Sequence, residues 1–285
     1  MNRPSIADKR RIFHELHASG CFVIPNPWDV GSALALQSLG FRALASSSAG
    51  FAWSCGQPDG GPTREQLLSH LHTLVEATDV PINADFQAGF AHDPDGVGAS
   101  VTLAVETGVA GLSIEDSTGD SERPLYDLDT ATQRMRAARR AIDRHGGDTQ
   151  LVGRAECFLF SRPSLDETIA RLKAYADAGA DCLYAPGLKT REQIEAVVRA
   201  AAPKPVNVLL ASATGLNVAQ AAALGVRRIS VGGALARVAW GGLMRAARLL
   251  AEQGSVAGFA EAADGRELNR LFESRSTPAA GPTPQ

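Results

Sequence analysis

Short hydrophobic runs alternate along this chain with longer amphipathic or alanine-rich segments. The short runs have the length and apolar content of buried strands, and they predict strands at residues 21–25, 42–47, 80–85, 111–116, 151–156, 182–187, 205–210 and 228–233. The intervening and following segments predict helices at residues 31–39, 63–77, 97–107, 130–145, 165–178, 191–201, 218–224 and 237–252. Strands that alternate with helices pair in parallel, so eight such units predict an α/β fold, the closed (β/α)8 TIM barrel.

The pattern also predicts how the chain is divided. Residues 1–255 are expected to form the barrel domain. Residues 256–273 follow the last barrel helix and predict an additional pair of helices, interrupted at Gly265, that must pack on something such as another subunit. Residues 274–285 are rich in Pro, Ser, Thr and Ala, which predicts a disordered tail.

Polar residues gather at the carboxyl ends of the predicted strands, where barrels of this kind form their active sites. In the stretch VPINADFQAGF, residues 80–90, the side chains of Asn83 and Asp85 share one face of a strand. Glu115 and Asp116 end the next strand. Neighbouring carboxylates repel unless a cation or a proton lies among them, and hard oxygen ligands suit Mg²⁺. Alternatively, each carboxylate caps the next helix or pairs with an arginine.

Arg154 lies within an apolar strand, and a buried arginine requires an anion or a polar network. Its guanidinium could bind a substrate carboxylate in a bidentate manner. It could instead pair with Glu156, whose side chain points the same way along the strand.

Two loops provide further candidates. Ser46, Ser47 and Ser48 precede Gly50 and could bind a carboxylate or a phosphate, although serine runs are also common in ordinary turns. Asp59 lies between glycines in CGQPDGG, residues 55–61. This loop could be a mobile segment that carries Asp59 over the site, or a simple Pro-Asp-Gly turn.

Composition and charge narrow the class of protein. The chain has 285 residues with 45% hydrophobic content, a net charge of −3 and a pI of about 6.1, which argue against a nucleic-acid or polybasic membrane surface. No apolar run reaches the ~18 residues of a membrane span, and the first residues do not predict a secretion signal. Four scattered cysteines, without a CxxC pair, favour a reducing cytoplasmic location over disulfides or structural zinc.

Taken together, these blocks resemble the isocitrate lyase/phosphoenolpyruvate mutase superfamily, in the branch that includes carboxyvinyl-carboxyphosphonate phosphorylmutase and 2-methylisocitrate lyase. The resemblance runs through FRALASSSAG, QPD, PINADFQAGF, GVAGLSIEDSTGD, LVGRAECF and AGADCLYAPG, and it covers residues 12 to 250. It implies an enzyme that uses Mg²⁺ or Mn²⁺ to hold a 2-oxo acid or its enolate. It also implies a homo-oligomer, a dimer or a tetramer, with C-terminal helices swapped between subunits.

The resemblance also implies roles for individual residues. Asp85 and Glu115 take metal-binding places, with Asn83 at the position of the first aspartate of the metal pattern. Asp59 matches the aspartate of the gating loop, and Arg154 matches the strand-five arginine. Ser47, with Ser48 and Ser46 beside it, matches the residue that binds the substrate carboxylate, and Asn207 falls near a polar substrate contact.

Two departures from the family pattern change the expected activity. Asn83 adds no negative charge, so metal affinity should fall. The loop STGDSERPLYD, residues 117–127, contains neither the Cys nor the His of the K-[KR]-C-G-H loop of the lyases, and it lacks the basic residues expected of a P–C mutase. Cleavage of isocitrate or methylisocitrate by the usual mechanism is therefore not expected.

The sequence thus predicts a lyase that acts on a small 2-oxo or 2-hydroxy dicarboxylate through a pyruvate-like enolate. The enolate must receive a proton from water, from Tyr184 or from a loop residue, for which the candidates are Asp120, Glu122 and Tyr126. Trp28, Phe51, Trp53 and Phe86 could line the far end of the substrate or belong to the core. The alternatives are P–C bond chemistry on a phosphonopyruvate-like substrate and a non-catalytic barrel that binds a metabolite.

Overall fold

Eight parallel strands form a barrel surrounded by helices, which confirms the predicted fold class. The computed structural model describes residues 3–160, 164–212 and 215–273, so the predicted disordered tail lies outside the described residues. The strands are β1 (Phe22–Ile24), β2 (Leu44–Ala45), β3 (Ile82–Asp85), β4 (Gly111–Glu115), β5 (Gln150–Arg154), β6 (Cys182–Tyr184), β7 (Val206–Leu209) and β8 (Arg228–Ser230). Their spatial order is β1-β8-β7-β6-β5-β4-β3-β2.

The barrel closes between β1 and β2 through hydrogen bonds of one direction only. The amide of Ala45 donates to the carbonyl of Pro25 at 3.0 Å, and that of Ser47 donates to the carbonyl of Pro27 at 3.2 Å. Proline has no N–H group, so β1 cannot donate in return at either position. This absence of return bonds explains why β1 and β2 do not form a regular ladder.

Asn26, between the two prolines, reinforces this junction with its side chain. Its Nδ2 donates to the carbonyl of Ser46 at 3.1 Å, while its Oδ1 accepts from the amides of Val231 and Gly232 at 2.9 and 2.8 Å. One buried amide side chain therefore joins the ends of β1, β2 and β8.

The helices match the prediction except at three places. They are α1 (Ile6–Ala18), α2 (Val30–Ser38), α3 (Ser48–Ser54), α4 (Arg64–Ala77), α5 (Pro94–Glu106), α6 (Leu128–Arg144), α7 (Leu165–Asp177), α8 (Arg191–Ala201), α9 (Val218–Ala223), α10 (Ala234–Gln253) and α11 (Gly265–Glu273). Helices α1 and α3 were not predicted, and the third difference is that the predicted starts of α5 and α10 are each three residues too late. Ser5 and Ser47 cap α1 and α3, so residues that resemble turn formers begin helices here.

The core consists of an outer layer between strands and helices and a smaller interior that fills the amino-terminal end of the barrel. Phe13 and Leu16 of α1 pack there with Ile24 of β1 and Ala45 of β2. Gly111 is required at this level, because a Cβ atom would stand 2.7 Å from the Phe13 ring and 2.8 Å from Oδ1 of Asn83. Helix α1 therefore seals the end of the barrel opposite to the strands' carboxyl ends.

The C-terminal region differs from the predicted helix pair. It contains one 3-10 turn, Ala257–Phe259, and one helix, α11, which begins at Gly265 and packs on α2 of the same chain. Ala236 is the buried member of α10 among the described residues, whereas Trp240, Leu243 and Met244 are exposed. None of the helices described here is long and apolar enough to cross a membrane, and all four cysteines are free thiols.

Candidate active site

A guanidinium surrounded by carboxylates lies at the carboxyl ends of β3, β4 and β5. Nη1 of Arg154 lies 3.3 Å from Oδ1 of Asp85 and 3.1 Å from Oε2 of Glu115. Its Nε donates to Oε1 of Glu156 at 2.5 Å. The predicted pairing of Arg154 with Glu156 is therefore confirmed, and Arg154 also contacts Asp85 and Glu115.

Asp85 is fixed from the side opposite to Arg154. Its Oδ2 accepts from the amide of Ser48 at 3.0 Å and from the Ser48 hydroxyl at 2.7 Å. Its own amide donates to Oγ of Ser46 at 2.9 Å. Ser47 acts differently, because its Oγ accepts from the amide of Gly50 at 3.0 Å and caps α3. The Ser47 hydroxyl hydrogen is not used in that bond.

The two-residue period of the strands selects which carboxylates enter the cluster. Asp85, Glu115 and Arg154 are the last residues of their strands, and Glu115 pairs in register with Arg154. Asp116 comes one residue later and points to the other side. There, its Oδ2 accepts from Nη1 of Arg171 at 3.1 Å and from the Tyr175 hydroxyl at 2.5 Å. The expectation that Asp116 would share the acid cluster is therefore wrong.

Burial raises the pKa values of several carboxyl groups around Arg154, which favours their protonated forms. Burial raises the pKa of Glu156 to about 7, although the Arg154 charge opposes this rise. Burial also raises the pKa of Glu115, against the same Arg154 charge, and Asp85 adds to the rise. The pKa of Asp59 is raised by partial burial and by the negative charge of Asp85. These carboxyl groups therefore retain a proton at a higher pH than isolated carboxyl groups do.

A second guanidinium lies deeper, at the floor of the same cavity. Arg228, the first residue of β8, donates through Nε to Oδ1 of Asn207 at 2.9 Å and through Nη1 to Oδ1 of Asn83 at 3.2 Å. Nδ2 of Asn207 in turn donates to Oγ of Ser230 at 3.0 Å. Asn207 is fully buried, so it reaches the cavity through Arg228 and Ser230.

Tyr184 contacts both Arg154 at the rim of the cavity and Ser230 near its floor. Its ring lies 5.3 Å from the guanidinium carbon of Arg154, and its hydroxyl interacts with Ser230. Burial raises the pKa of Tyr184 to about 12, while Arg154 opposes the rise. The phenol therefore carries its proton at neutral pH.

These groups line one cavity of about 610 Å³, large enough for a small organic acid. Most of the predicted site residues border it, namely Ser46, Ser47, Ser48, Asp59, Asn83, Asp85, Glu115, Arg154 and Tyr184. Trp28 does not. It borders a separate groove with Phe51 and His70, whose rings stack 4.0 Å apart.

The loop after β4 holds three of the candidate proton donors, and none of the three borders the cavity. Ser117, Thr118 and Gly119 border the cavity. Asp120 and Glu122 are exposed and do not border it, and the Tyr126 hydroxyl instead contacts Nδ1 of His92 at 2.7 Å. Of the candidate side chains, only Tyr184 is brought to the cavity within the described residues.

The rim provides suitable ligands for a divalent cation. Asp85, Glu115 and Glu156 contact the guanidinium of Arg154, and Asp59 borders the same cavity. Asp85 and Glu115 fit Mg²⁺ or Mn²⁺, because such ions take one or two protein carboxylates and fill their other positions with water and substrate oxygens. Asn83 fits less well, because its Oδ1 already accepts from the Arg228 cation. Within the described ranges, no group of three or more His, Cys, Asp or Glu side chains forms a metal site by itself.

Sequence reasoning missed several groups that the fold brings to the cavity. Arg228 is the first residue of a short predicted strand, a position where a charged side chain commonly faces solvent. The period of two from Ser230 would have placed it on the inner face. Asn26 stands between two prolines and gave no signal of its role.

Eight parallel strands with a polar cavity at their carboxyl ends define a (β/α)8-barrel protein of the kind that houses enzymes. The family model described as phosphoenolpyruvate phosphomutase matches residues 13–251. The chain therefore belongs to this family, within the phosphoenolpyruvate mutase/isocitrate lyase superfamily of lyases and mutases. The resemblance inferred from the sequence blocks is confirmed.

Individual relatives cover most of the barrel. A crystal structure of a candidate lyase/mutase from Burkholderia cenocepacia J2315 is 45% identical, with a TM-score of 0.91 over 94% of this chain and 97% of that one. Oxaloacetate acetylhydrolase in complex with oxalate is 28% identical, with a TM-score of 0.83 over 95% and 94%. Oxaloacetate decarboxylase of Paraburkholderia xenovorans is 30% identical over 198 residues, 66% of this chain and 64% of that protein.

Proposed function

We propose that this protein is a divalent-cation-dependent lyase that cleaves or decarboxylates a small 2-oxo or 2-hydroxy dicarboxylate through a pyruvate-like enolate. The observation that carries the proposal is the position of Arg154, in contact with Asp85, Glu115 and Glu156 at the rim of a 610 Å³ cavity. The relatives described as an oxaloacetate decarboxylase and an oxaloacetate acetylhydrolase support this substrate class.

Asp85 and Glu115 would hold Mg²⁺ or Mn²⁺, which when bound polarises an oxo group as a Lewis acid. The hydrogen bonds from Ser48 fix Asp85 in place for that role. The Ser47 hydroxyl hydrogen is available to bind the carboxylate of the oxo acid. Asp59, from the loop above the rim, closes the acid cluster on the solvent side.

Arg154 is positioned to stabilise negative charge that develops when the C–C bond breaks. When a 2-oxo acid is decarboxylated, the bonding electrons remain on the oxo-acid fragment as an enolate, and a fixed guanidinium lowers the energy of that charge. When a 2-hydroxy acid is cleaved, its hydroxyl loses a proton and becomes the oxo group, while the bonding electrons remain as an enolate on the other carboxylate fragment. Its pKa is raised by Glu115 and Glu156 despite burial, so Arg154 stays cationic. Its contacts with three carboxylates fix its position before the substrate arrives.

The enolate carbon must then receive a proton. Tyr184 borders the cavity and retains its proton at neutral pH. Glu156 borders it too, and its pKa of about 7 allows it to give or accept a proton near neutrality. Transfer from Tyr184 to the carbon and resupply through Glu156 would complete the reaction without a cysteine loop.

The test is release of pyruvate or of the matching 2-oxo acid. Pure protein is incubated with Mg²⁺ or Mn²⁺ and oxaloacetate, citramalate (2-methylmalate) or phosphonopyruvate. We expect turnover of one of the carboxylic acids, a loss of roughly 100-fold or more in Asp85→Ala, and no loss in Asp95→Ala, an exposed aspartate in the first turn of α5.

Two other outcomes would replace the proposal. The family model described as phosphoenolpyruvate phosphomutase favours P–C chemistry as the second candidate, and turnover restricted to phosphonopyruvate would establish it. Tight binding of these acids without any turnover would instead establish a metabolite-binding barrel.

A further inference from the structure

Arg228 is a buried cation in the floor of the cavity. Arg228 is 3% exposed. Its guanidinium donates hydrogen bonds to two neutral amide oxygens, those of Asn83 and Asn207. It forms no ion pair with any residue that the structure describes. Two other buried guanidinium groups are balanced by charge, since Arg154 contacts three carboxylates and Arg171 contacts two. Arg134 instead donates to three backbone carbonyls of the loop after β3, whereas Arg228 has only the two amide acceptors among the described residues.

The surroundings of Arg228 supply no negative charge at neutral pH. Burial lowers its pKa, and the groups that oppose this effect are the Cys182 thiol and the Tyr184 phenol, both neutral acids. The charge of Arg228 also lowers the pKa of His17 beneath it, an effect secondary to the burial of that imidazole. A buried cation without a counter-ion destabilises the folded protein. An anion that enters from outside the protein would balance the charge of Arg228.

The anion can reach Arg228 only from the cavity. Arg228, Asn83 and Ser230 all border it, whereas Phe13, Ile24 and the rest of the interior core fill the space on the other side. The two amides occupy Nε and one position on Nη1. No described residue accepts a hydrogen bond from Nη2, so this nitrogen remains to bind a ligand.

We propose that Arg228 forms an anion subsite at the cavity floor, which binds one carboxylate of the ligand while the reacting centre lies between Arg154 and Tyr184. Asn83 and Asn207 are positioning residues, since they hold the guanidinium through its other N–H groups. The identity of the anion as a carboxylate rests on the proposed function. The existence of the subsite rests on the unbalanced charge alone.

The experiment is calorimetric titration of the full-length protein with malonate in buffer that contains a chelator of divalent cations. We expect malonate to bind the unaltered protein without metal, and Arg228→Gln to weaken that binding roughly 10- to 100-fold, as loss of a charge-assisted hydrogen-bond pair does. Arg228→Lys should lie between the two. The matched control is Arg227→Gln, one residue away, where the guanidinium contacts the carbonyl of Gly20 outside the cavity.

A second measurement does not depend on the folding of any variant. Malonamide, in which both carboxylates of malonate are replaced by amides, should bind the unaltered protein at least 10-fold more weakly than malonate. Equal affinity for malonate in Arg228→Gln and Arg227→Gln would overturn the subsite. Equal affinity of the unaltered protein for malonate and malonamide would also overturn it.

The subsite and the lyase can fail separately. Turnover of an oxo acid with no effect of Arg228→Gln on KM would refute the subsite and keep the lyase. Malonate binding that depends on Arg228 in a protein without turnover would keep the subsite and refute the lyase.

Discussion

At the scale of single residues, Glu156 is the carboxylate whose chemistry the fold alters most visibly. It is 4% exposed, it contacts Arg154, and its amide donates to Oδ1 of Asp116 at 2.9 Å. Burial raises its pKa to about 7 in spite of the adjacent guanidinium. Glu156 is therefore protonated below this pH and ionised above it, unlike a glutamate in water.

Replacing Glu156 with Gln should remove this ionisation while preserving the size of the side chain. We expect kcat/KM to fall roughly 100-fold, as loss of a general acid–base group does, and the pH dependence near 7 to disappear. The measurement is a pH–rate profile from pH 5 to 9. Glu192→Gln, at an exposed position of α8, is the control. An unchanged limb near pH 7 in Glu156→Gln would assign that ionisation to another group.

At the scale of elements, α1 is one of the two helices that the hydrophobic pattern did not predict. It seals the barrel with Phe13 and Leu16, and it places His17 against the rings of Phe13 and Phe22, at 4.5 and 5.0 Å between ring centroids. Nδ1 of His17 contacts the carbonyl of Phe13 at 2.8 Å, whereas its buried Nε2 has no partner among the described residues. Burial, aided by the Arg228 charge, lowers the pKa of His17 to about 3.

This depressed pKa predicts the acid stability of the fold. The unfolded chain takes up a proton at this histidine below about pH 6.5, whereas the folded chain does not until about pH 3, so the contribution of His17 is complete above pH 6.5 and is lost as the pH falls. At pH 5 the loss amounts to about 2 kcal/mol.

Urea unfolding at pH 7 and pH 5 measures that difference. His17→Gln should lose about 2 kcal/mol less than the unaltered protein between the two pH values. His72→Gln, at an exposed position of α4, should behave as the unaltered protein does. Parallel losses in all three proteins would mean that His17 does not contribute.

Most elements of the fold could be predicted from the sequence, because each strand is a short apolar run followed by an amphipathic helix. The site could be predicted where a residue ends a strand, as Asp85, Glu115 and Arg154 do. Prediction failed where a residue served a second purpose. Asp116 follows Glu115 by one residue but points away from the cavity toward Arg171 and Tyr175, and Ser47 looks like a turn residue but caps a helix.

At the scale of the whole molecule, α10 carries an apolar face that the described residues leave exposed. Trp240, Leu243, Met244 and Leu250 are 39%, 56%, 44% and 47% exposed. Exposed apolar patches on stable proteins commonly mark subunit interfaces. The proposed dimer or tetramer would bury this face, and the exposed α11 lies at the other end of the same C-terminal region.

Light scattering after size-exclusion chromatography tests the assembly. We expect a mass of two or four times the 29.9 kDa of one chain. Leu243→Glu should shift the mass toward one chain, because burying a charge at an interface is costly. Leu39→Glu, at a leucine that is 74% exposed beyond α2, should not shift it. A single-chain mass for the unaltered protein would refute the assembly.

Because α1 closes one end of the barrel, it limits how ligands enter and leave the cavity. Because Phe13, Ile24 and their neighbours fill the lower end of the barrel, the strand-end opening is the route for entry and exit alike. If the proposed lyase cleaves its substrate and Arg228 holds one fragment at the floor, that fragment would leave after the outer one. The floor-bound acid would then compete with incoming substrate as a product inhibitor.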